Sequence, residues 1–382
     1  MTYLLTVPAR INILGNPSDA NEGDFATISA AIEMRAGAIV SASDHLVFEI
    51  LDSNPLTSQV YHTLVSGCYT IAEMPFPYKD ELDLIKGAFN RLHQYSPEFQ
   101  KKVVQKGIHI KIWSEVPRQS GLGGSSLIVI LTLAALRKWY DLAPDIHNDY
   151  VISELTQRVE AKELGITAGF ADRYVPLFGG LAYLDYRGKL WQKPIHEEPY
   201  VTYERLQTDC SLPIVAITTG IMHDSGDVHR RMRPRYLSEY AEWQLKGGDY
   251  PPMVQFMSKA WETAWMGKIA LLSHNLQRFG ELMNTNHQIV DEMMHYCGFS
   301  DGAGLENNIL IQAALSNGAY GAKLTGAGGG GSVFCLVEPG KEVLIKQTWE
   351  KTALSLNLSN ALIYTPKIGV KGLTITTLEQ DL

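Results

Sequence analysis

Two glycine-rich stretches carry the plainest chemical signal. The first reads Pro117-Arg118-Gln119-Ser120-Gly121-Leu122-Gly123-Gly124-Ser125-Ser126. Glycines let successive backbone N–H groups turn to one side without a Cβ clash. A helix start adds N–H groups with no intrahelical partner and the positive end of the helix dipole. Together they form a cradle for phosphate oxygens, and a hydroxyl from Ser125 or Ser126 at the helix start can reach a Mg²⁺ bound to those phosphates. A plain turn with an N-cap serine would need no ligand. A strand before the loop, an apolar helix after it and the paired serines favour the phosphate role. The loop is not a Walker A motif, because the Gly-Lys pairs at 188, 267 and 340 are never followed by Ser or Thr. The spacing Gly121-x-Gly123-Gly124 also departs from the dinucleotide fingerprint. The second stretch, Lys323-Leu324-Thr325-Gly326-Ala327-Gly328-Gly329-Gly330-Gly331-Ser332, has five glycines in six positions. That composition costs backbone entropy, so close approach to a ligand or to another loop explains it better than a turn does.

The elements that hold these loops follow from periodicity. Ile108, Ile110 and Ile112 alternate with His109 and Lys111, which predicts a half-buried strand feeding the first loop. Ser125 to Tyr140 reads as a buried helix leaving it, and Val151 to Leu164 as a second helix. Tyr3 to Val7 is a strand stopped by Pro8, and a turn-rich stretch runs from Asn16 to Asp24. Ile28 to Val40 is a strand, or a short helix followed by one. Leu82 to Gln94 has helical spacing, as do Met253 to Met266 and Ala270 to Asn284. Leu212 to Thr219 and Ser332 to Val337 are strands, the latter leaving the second loop. A boundary between 190 and 212 divides the chain into 1–205, with the phosphate loop at 117–126, and 206–382, with the glycine-rich loop at 326–331.

Composition bounds the function class. The 382 residues are 45% hydrophobic and 19% charged, which is ordinary globular material and excludes a disordered or fibrous chain. A net charge of −8 argues against a nucleic-acid or anionic-membrane partner. The four cysteines lie far apart, without metal-ligand spacing, and are expected to be reduced. The apolar run Leu127 to Leu136 is about half of the roughly 20 residues a membrane span needs. Met1 to Arg10 lacks the basic, apolar pattern of a signal peptide. A cytoplasmic protein with a small-molecule substrate is expected, as a monomer or a homodimer.

The two loops, preceded by Pro8-Ala9-Arg10-Ile11-Asn12-Ile13-Leu14-Gly15-Asn16, resemble in order and spacing the three motifs of the GHMP small-molecule kinases. Within that family the chain is most similar to the glucuronokinases. The segments that carry this likeness are Gly15-Asn16-Pro17-Ser18-Asp19, the first loop, Leu164 to Arg173, Gly179-Gly180-Leu181, Asp224 to His229 and Glu281 to Asn284. The resemblance implies an α+β, two-domain GHMP kinase fold. The N-terminal half would be like domain 2 of ribosomal protein S5 and the C-terminal half ferredoxin-like. It also implies ATP and Mg²⁺ as cofactors and a transfer to the anomeric hydroxyl of a uronic acid. Glucuronate would give its 1-phosphate. Other acceptors, galacturonate or a neutral hexose, stay open, as does a non-turning-over nucleotide- or sugar-binding regulator. A decarboxylase on the same scaffold is disfavoured by the glucuronokinase-like segments.

The resemblance also assigns residues. Pro117, Gly121, Leu122, Gly123, Gly124, Ser125 and Ser126 would hold the nucleotide. Asp172 matches the catalytic aspartate, which would accept the hydroxyl proton; alone it would read as a surface pair with Arg173. Glu160 matches the Mg²⁺-binding glutamate, paired with Ser126, with Glu163 as runner-up one turn along. Arg10 holds the basic position of the first motif and would orient Asp172 and the phosphate, or else pair with Asp19 or Asp24. Asp19 would hold sugar hydroxyls, or close an Asx-turn. Gly328 and Gly329 would border the substrate. A uronate carboxylate needs a cation, and Arg230, Arg231, Arg233 and Arg235 crowd six positions. Arg230 and Arg233 are the candidates, on a segment whose Pro234 argues against a regular helix.

Overall fold

The computed structural model describes every residue except 22, 167–168, 190–192, 208–211, 222–224, 327 and 380–382. Numbered along the chain, the strands are β1 (Thr2–Leu14), β2 (Ala26–Ser41), β3 (Leu46–Leu51), β4 (Thr63–Tyr69), β5 (Ile108–Ser114), β6 (Leu181–Asp185), β7 (Thr202–Arg205), β8 (Ile214–Thr218), β9 (Gly321–Thr325), β10 (Ser332–Leu336), β11 (Leu362–Tyr364) and β12 (Thr374–Leu378). The helices are α1 (Asp83–Tyr95), α2 (Pro97–Val103), α3 (Gly124–Trp139), α4 (Asp149–Arg158), α5 (Ala171–Phe178), α6 (Ser225–Lys246), α7 (Pro252–Leu272), α8 (Leu276–Tyr296), α9 (Leu305–Ser316) and α10 (Glu342–Ser355). This is the α+β class that the sequence implies.

The larger sheet runs β12-β1-β2-β5-β3-β4, with β6 beside β2 and β7 beside β6. β2 is long enough to pair β5 through Ala36–Ser41 and β6 through Ala26–Ala30. It is a single strand, with no helical part. Helix α3 is apolar on nearly every face, so it must be covered all round. It packs on β1, β2 and β5 and is flanked by α1, α4 and α5. The smaller antiparallel sheet, β11-β8-β10-β9, buries Val215, Ile217, Val333 and Cys335 against α9 and α10.

Two prolines behave differently from the sequence expectation. β1 does not stop at Pro8; it continues to Leu14 with a register shift at Pro8/Ala9. The β12 pairing covers only Thr2 to Thr6, so on that side Pro8 has no ladder bond to lose. Pro234 lies inside the 22-residue helix α6. The burial of Val228, Met232 and Tyr236 along one face offsets the lost backbone bond. The chain ends by returning β12 to the edge of the first sheet, beside the strand that opens it.

Candidate active site

The first loop and the second meet backbone to backbone. Gly121 and Gly123 hold φ of 72° and 88°, and α3 starts at Gly124. A Cβ at Gly121 would lie 2.7 Å from the Thr325 carbonyl oxygen, and one at Gly326 would lie 2.8 Å from Gly121 Cα. Ser332 Oγ donates to the Ser120 carbonyl at 2.7 Å. This contact explains glycines in both loops. Pro117 opens the first turn by accepting from Ser120 N at 3.3 Å, and the buried Leu122 accepts from Arg10 N at 3.4 Å. A Cβ at Gly124 would make only an ordinary contact with Val116 Cγ1 at 3.8 Å, and one at Gly123 would face the Arg10 side chain at 3.7 Å. The start of α3 is thus an uncrowded set of N–H groups next to a guanidinium, a setting that suits an anion. The contacts of Gly328 and Gly329 are with α8 and the turn before α9. A Cβ on Gly328 would reach Met294 Sδ at 3.0 Å, and Gly329 N donates to Ala303 O at 2.8 Å.

Arg10 lies in β1 and Asp172 in the first turn of α5, where the helix dipole favours an anion. The guanidinium grips Asp172 Oδ1 through Nε at 2.6 Å and Nη2 at 2.5 Å, and its Nη1 donates to the Gly121 carbonyl at 2.5 Å. One buried arginine therefore ties the carboxylate to the glycine loop. It pairs with neither Asp19 nor Asp24 through the contacts seen here, and Asp172 takes Arg10 in place of Arg173.

Asp19, in a short 3-10 turn over Ser18–Ala20, is buried beside them. It closes no Asx-turn; its Oδ2 accepts from Ala171 N at 3.2 Å. Gly169 is obligatory here, since a Cβ would overlap Asp19 Oδ2 at 1.9 Å. Burial, reinforced by the charge of Asp172, pushes the Asp19 carboxyl up to about 6. A raised carboxyl pKa gives stability that is full below the unfolded value of 3.8 and lost as pH rises through about 6. Asp19→Asn keeps the acceptor for Ala171 N and removes that loss. Its thermal midpoint should exceed wild type by roughly 5 °C at neutral pH, and the gap should close as the buffer is taken toward pH 4. A gap that does not vary with pH would show that the carboxyl does not titrate this way.

Glu160 follows α4 on a π-helical turn, Val159–Glu163, rather than on a continuous α-helix. Its fully buried carboxylate accepts from Ser125 Oγ at 2.8 Å and from Ser126 Oγ at 3.0 and 2.9 Å, and pairs with Arg173 Nη2 at 2.9 Å. Glu163 is engaged elsewhere, by Tyr78 OH at 2.7 Å and by Arg91. The Ser126–Glu160 pair offers hard oxygen ligands at the helix start, the donor chemistry that Mg²⁺ prefers. Among the described residues no group of three or more His, Cys, Asp or Glu could hold a metal unaided. A cation there would therefore need further oxygens from a ligand or water.

On α6, Arg233 Nη1 donates to the Ala20 carbonyl at 3.0 Å, which puts it next to Asp19. Arg230 is 64% exposed and lies 3.7 Å from Asp227. Arg231 pairs with Asp227 and covers Phe299, and Arg235 lies over Tyr296. Of the two candidate arginines, the structure brings Arg233 to the Asp19 corner and leaves Arg230 on the outer side of the helix.

Two positioning residues were not assigned from sequence. Lys323, fully buried in β9, donates to Asn12 O at 3.2 Å, Asn16 Oδ1 at 2.8 Å and Leu324 O at 2.8 Å. Burial, together with the charge of Arg10, pulls its pKa down to about 7. Asn286 of α8 donates to Asn16 O at 3.0 Å and accepts from Gly15 N at 3.1 Å. Both tie the first motif to the second half of the chain. Lys323 was visible as the residue that opens the second loop; Asn286 left no sequence signal.

Comparison with known proteins gives this arrangement a family. Residues 83–180 match the GHMP kinases N terminal domain, and residues 268–353 match GHMP kinases C terminal. The chain is 29% identical over 353 residues to a probable glucuronokinase of Arabidopsis thaliana, covering 90% of this chain and 87% of that protein. It is 30% identical over 275 residues to a mevalonate kinase of Thermococcus gammatolerans, covering 71% and 69%. The solved galactokinase of Lactococcus lactis in complex with galactose shares the fold, with a TM-score of 0.73 at 19% identity over 98% of this chain and 95% of that one. By motif, fold and relatives, the chain belongs to the GHMP kinase family.

Proposed function

We propose that this protein is a sugar kinase that transfers the γ-phosphoryl group of ATP, with Mg²⁺, to the anomeric hydroxyl of a uronic acid, D-glucuronate giving glucuronate 1-phosphate. The observation that carries it is Asp172 held in the Arg10 fork against the glycine loop. A base and a phosphate cradle are fixed there by one side chain. The sugar oxygen attacks the γ-phosphorus, the bond to the β-phosphate oxygen breaks, and ADP leaves. Both Arg10 contacts fall on Asp172 Oδ1, so the hydroxyl proton goes to Oδ2. The first-turn N–H groups of α3 and the Arg10 guanidinium stabilise phosphate charge, the main catalytic demand of phosphoryl transfer. Ser126 and Glu160 would hold Mg²⁺, which when bound neutralises charge on the phosphate oxygens.

Support for a uronate comes from likeness to the Arabidopsis glucuronokinases and from Arg233 at the Asp19 corner. A guanidinium suits a carboxylate through paired hydrogen bonds. The test is ADP release with Mg·ATP against glucuronate, galacturonate, glucose, galactose, N-acetylhexosamines and mevalonate, followed by phosphorus NMR of the product. Turnover confined to uronates, with an anomeric phosphate, is expected. Turnover of neutral sugars alone discards the uronate. In Arg233→Ala the KM for glucuronate should rise roughly 30-fold or more, the worth of a charge-assisted hydrogen bond. An unchanged glucuronate KM would remove Arg233 from carboxylate recognition.

A further inference from the structure

Helix α6 carries a second polar residue on the side that meets the Asp19 turn. His229 lies one helical turn before Arg233 and next to Val228, whose side chain is buried with Ala20, Phe25 and Met232. His229 is 8% exposed, yet its Nδ1 has no hydrogen-bond partner among the described residues. Buried polar atoms are almost always paired, so a persistent orphan needs a cause. Burial pulls the ring's pKa down to about 4, against the charge of Asp172 and with those of Arg173 and Arg233. Its placement follows from α6 itself: His229 and Arg233 are four residues apart on one helix side, Arg233 reaches the Ala20 carbonyl beside Asp19, and Val228 packs on Ala20.

We infer that His229 recognises the acceptor: its Nδ1 hydrogen-bonds a sugar hydroxyl other than the one phosphorylated. This assignment rests on the sugar-kinase function proposed above. A neutral imidazole has one donor and one acceptor nitrogen, and a hydroxyl can satisfy either. Such a contact discriminates strongly, because a sugar lacking that hydroxyl leaves the buried nitrogen unpaired again. It also differs in kind from Arg233, which would read charge. His229 would read the pattern of hydroxyls that uronates share with neutral hexoses.

The experiment compares wild type, His229→Phe and His229→Asn on whichever sugar of the panel wild type phosphorylates, with KM measured separately for sugar and ATP. His229→Phe keeps a planar ring and loses the polar atom. Its sugar KM should rise about tenfold or more while its ATP KM stays within about twofold. His229→Asn, which puts an amide atom near the position of Nδ1, should recover part of the loss. A set of monodeoxy sugars should show one position at which wild type discriminates and His229→Phe does not. A sugar KM within about twofold of wild type in His229→Phe overturns the assignment. So does an equal rise in both KM values with no recovery in His229→Asn, since packing alone would do that. If wild type phosphorylates only neutral sugars, the uronate proposal fails while the His229 test stands. If wild type phosphorylates no sugar, both fail.

Discussion

Asp172→Asn is expected to lower kcat by about a thousandfold, within the span of general-base contributions. The amide keeps the shape of the carboxylate and can still accept from Arg10, so the fork that places it against Gly121 need not dissolve. What is lost is the oxygen that, in the proposed mechanism, would take the hydroxyl proton, and the charge that balances a nearly fully buried guanidinium. The second loss destabilises the fold, because removing one partner leaves a buried charge uncompensated. Thermal melting therefore has to accompany the kinetics, and kcat should be taken well below the variant's midpoint. The KM for ATP should move little, since the proposed role sets Asp172 against the acceptor and not the nucleotide. Near-wild-type turnover by a folded variant would end the base role. A loss confined to the sugar KM would make Asp172 a binding group, because an interaction made equally in ground and transition states leaves kcat intact.

Much of this centre could be read in the sequence, for a physical reason. Phosphate cradles need glycine where a Cβ cannot fit, and that need is written in residue type. Gly121 and Gly326 are required by positive φ and close approach in the structure, and Gly123 by positive φ. Motif register links Arg10 to Asp172 and Glu160 to Ser126, and both pairs are present, but it does not show the Arg173 that Glu160 also holds. Arg173 reads locally as the neighbour of Asp172, yet it lies in the core against Glu160. Adjacent residues on a helix start point about 100° apart, so sequence neighbours are poor guides to ion pairs.

The structure departs from sequence expectation where tertiary context outweighs local preference. Pro8 ends a strand by its own chemistry and stays in one because β12 stops short of it. Pro234 breaks a helix by its own chemistry and stays in one because α6 buries Val228, Met232 and Tyr236. Gly169 gave no sign of its role, since it is required by a carboxylate 150 residues away in sequence. Lys323 and Asn286 act at longer range still, 307 and 270 residues from Asn16. A reading based on periodicity and local motifs registers contacts a few residues apart, and these contacts are not of that kind.

The second large effect is expected at Glu160→Gln, where two functions of one carboxylate can be separated. Glu160 accepts from the hydroxyls of Ser125 and Ser126 and balances Arg173, with Ser126, Glu160 and Arg173 all buried. A metal ligand at 160 predicts that the half-saturating Mg²⁺ concentration rises, roughly 10- to 100-fold, with activity partly recovered at high Mg²⁺. A purely structural partner of Arg173 predicts lost stability, of about 3–5 kcal/mol, that no concentration of Mg²⁺ restores. Glu160→Gln by itself mixes the two, because glutamine also leaves Arg173 uncompensated. Ser126→Ala separates them. It removes one hydroxyl from the pair and leaves the Glu160–Arg173 contact whole, so its melting should stay near wild type. If its half-saturating Mg²⁺ nevertheless rises about tenfold, the serine and the glutamate share a cation at the start of α3. If both variants keep the wild-type Mg²⁺ dependence, Glu160 belongs to the scaffold and the cation is held elsewhere.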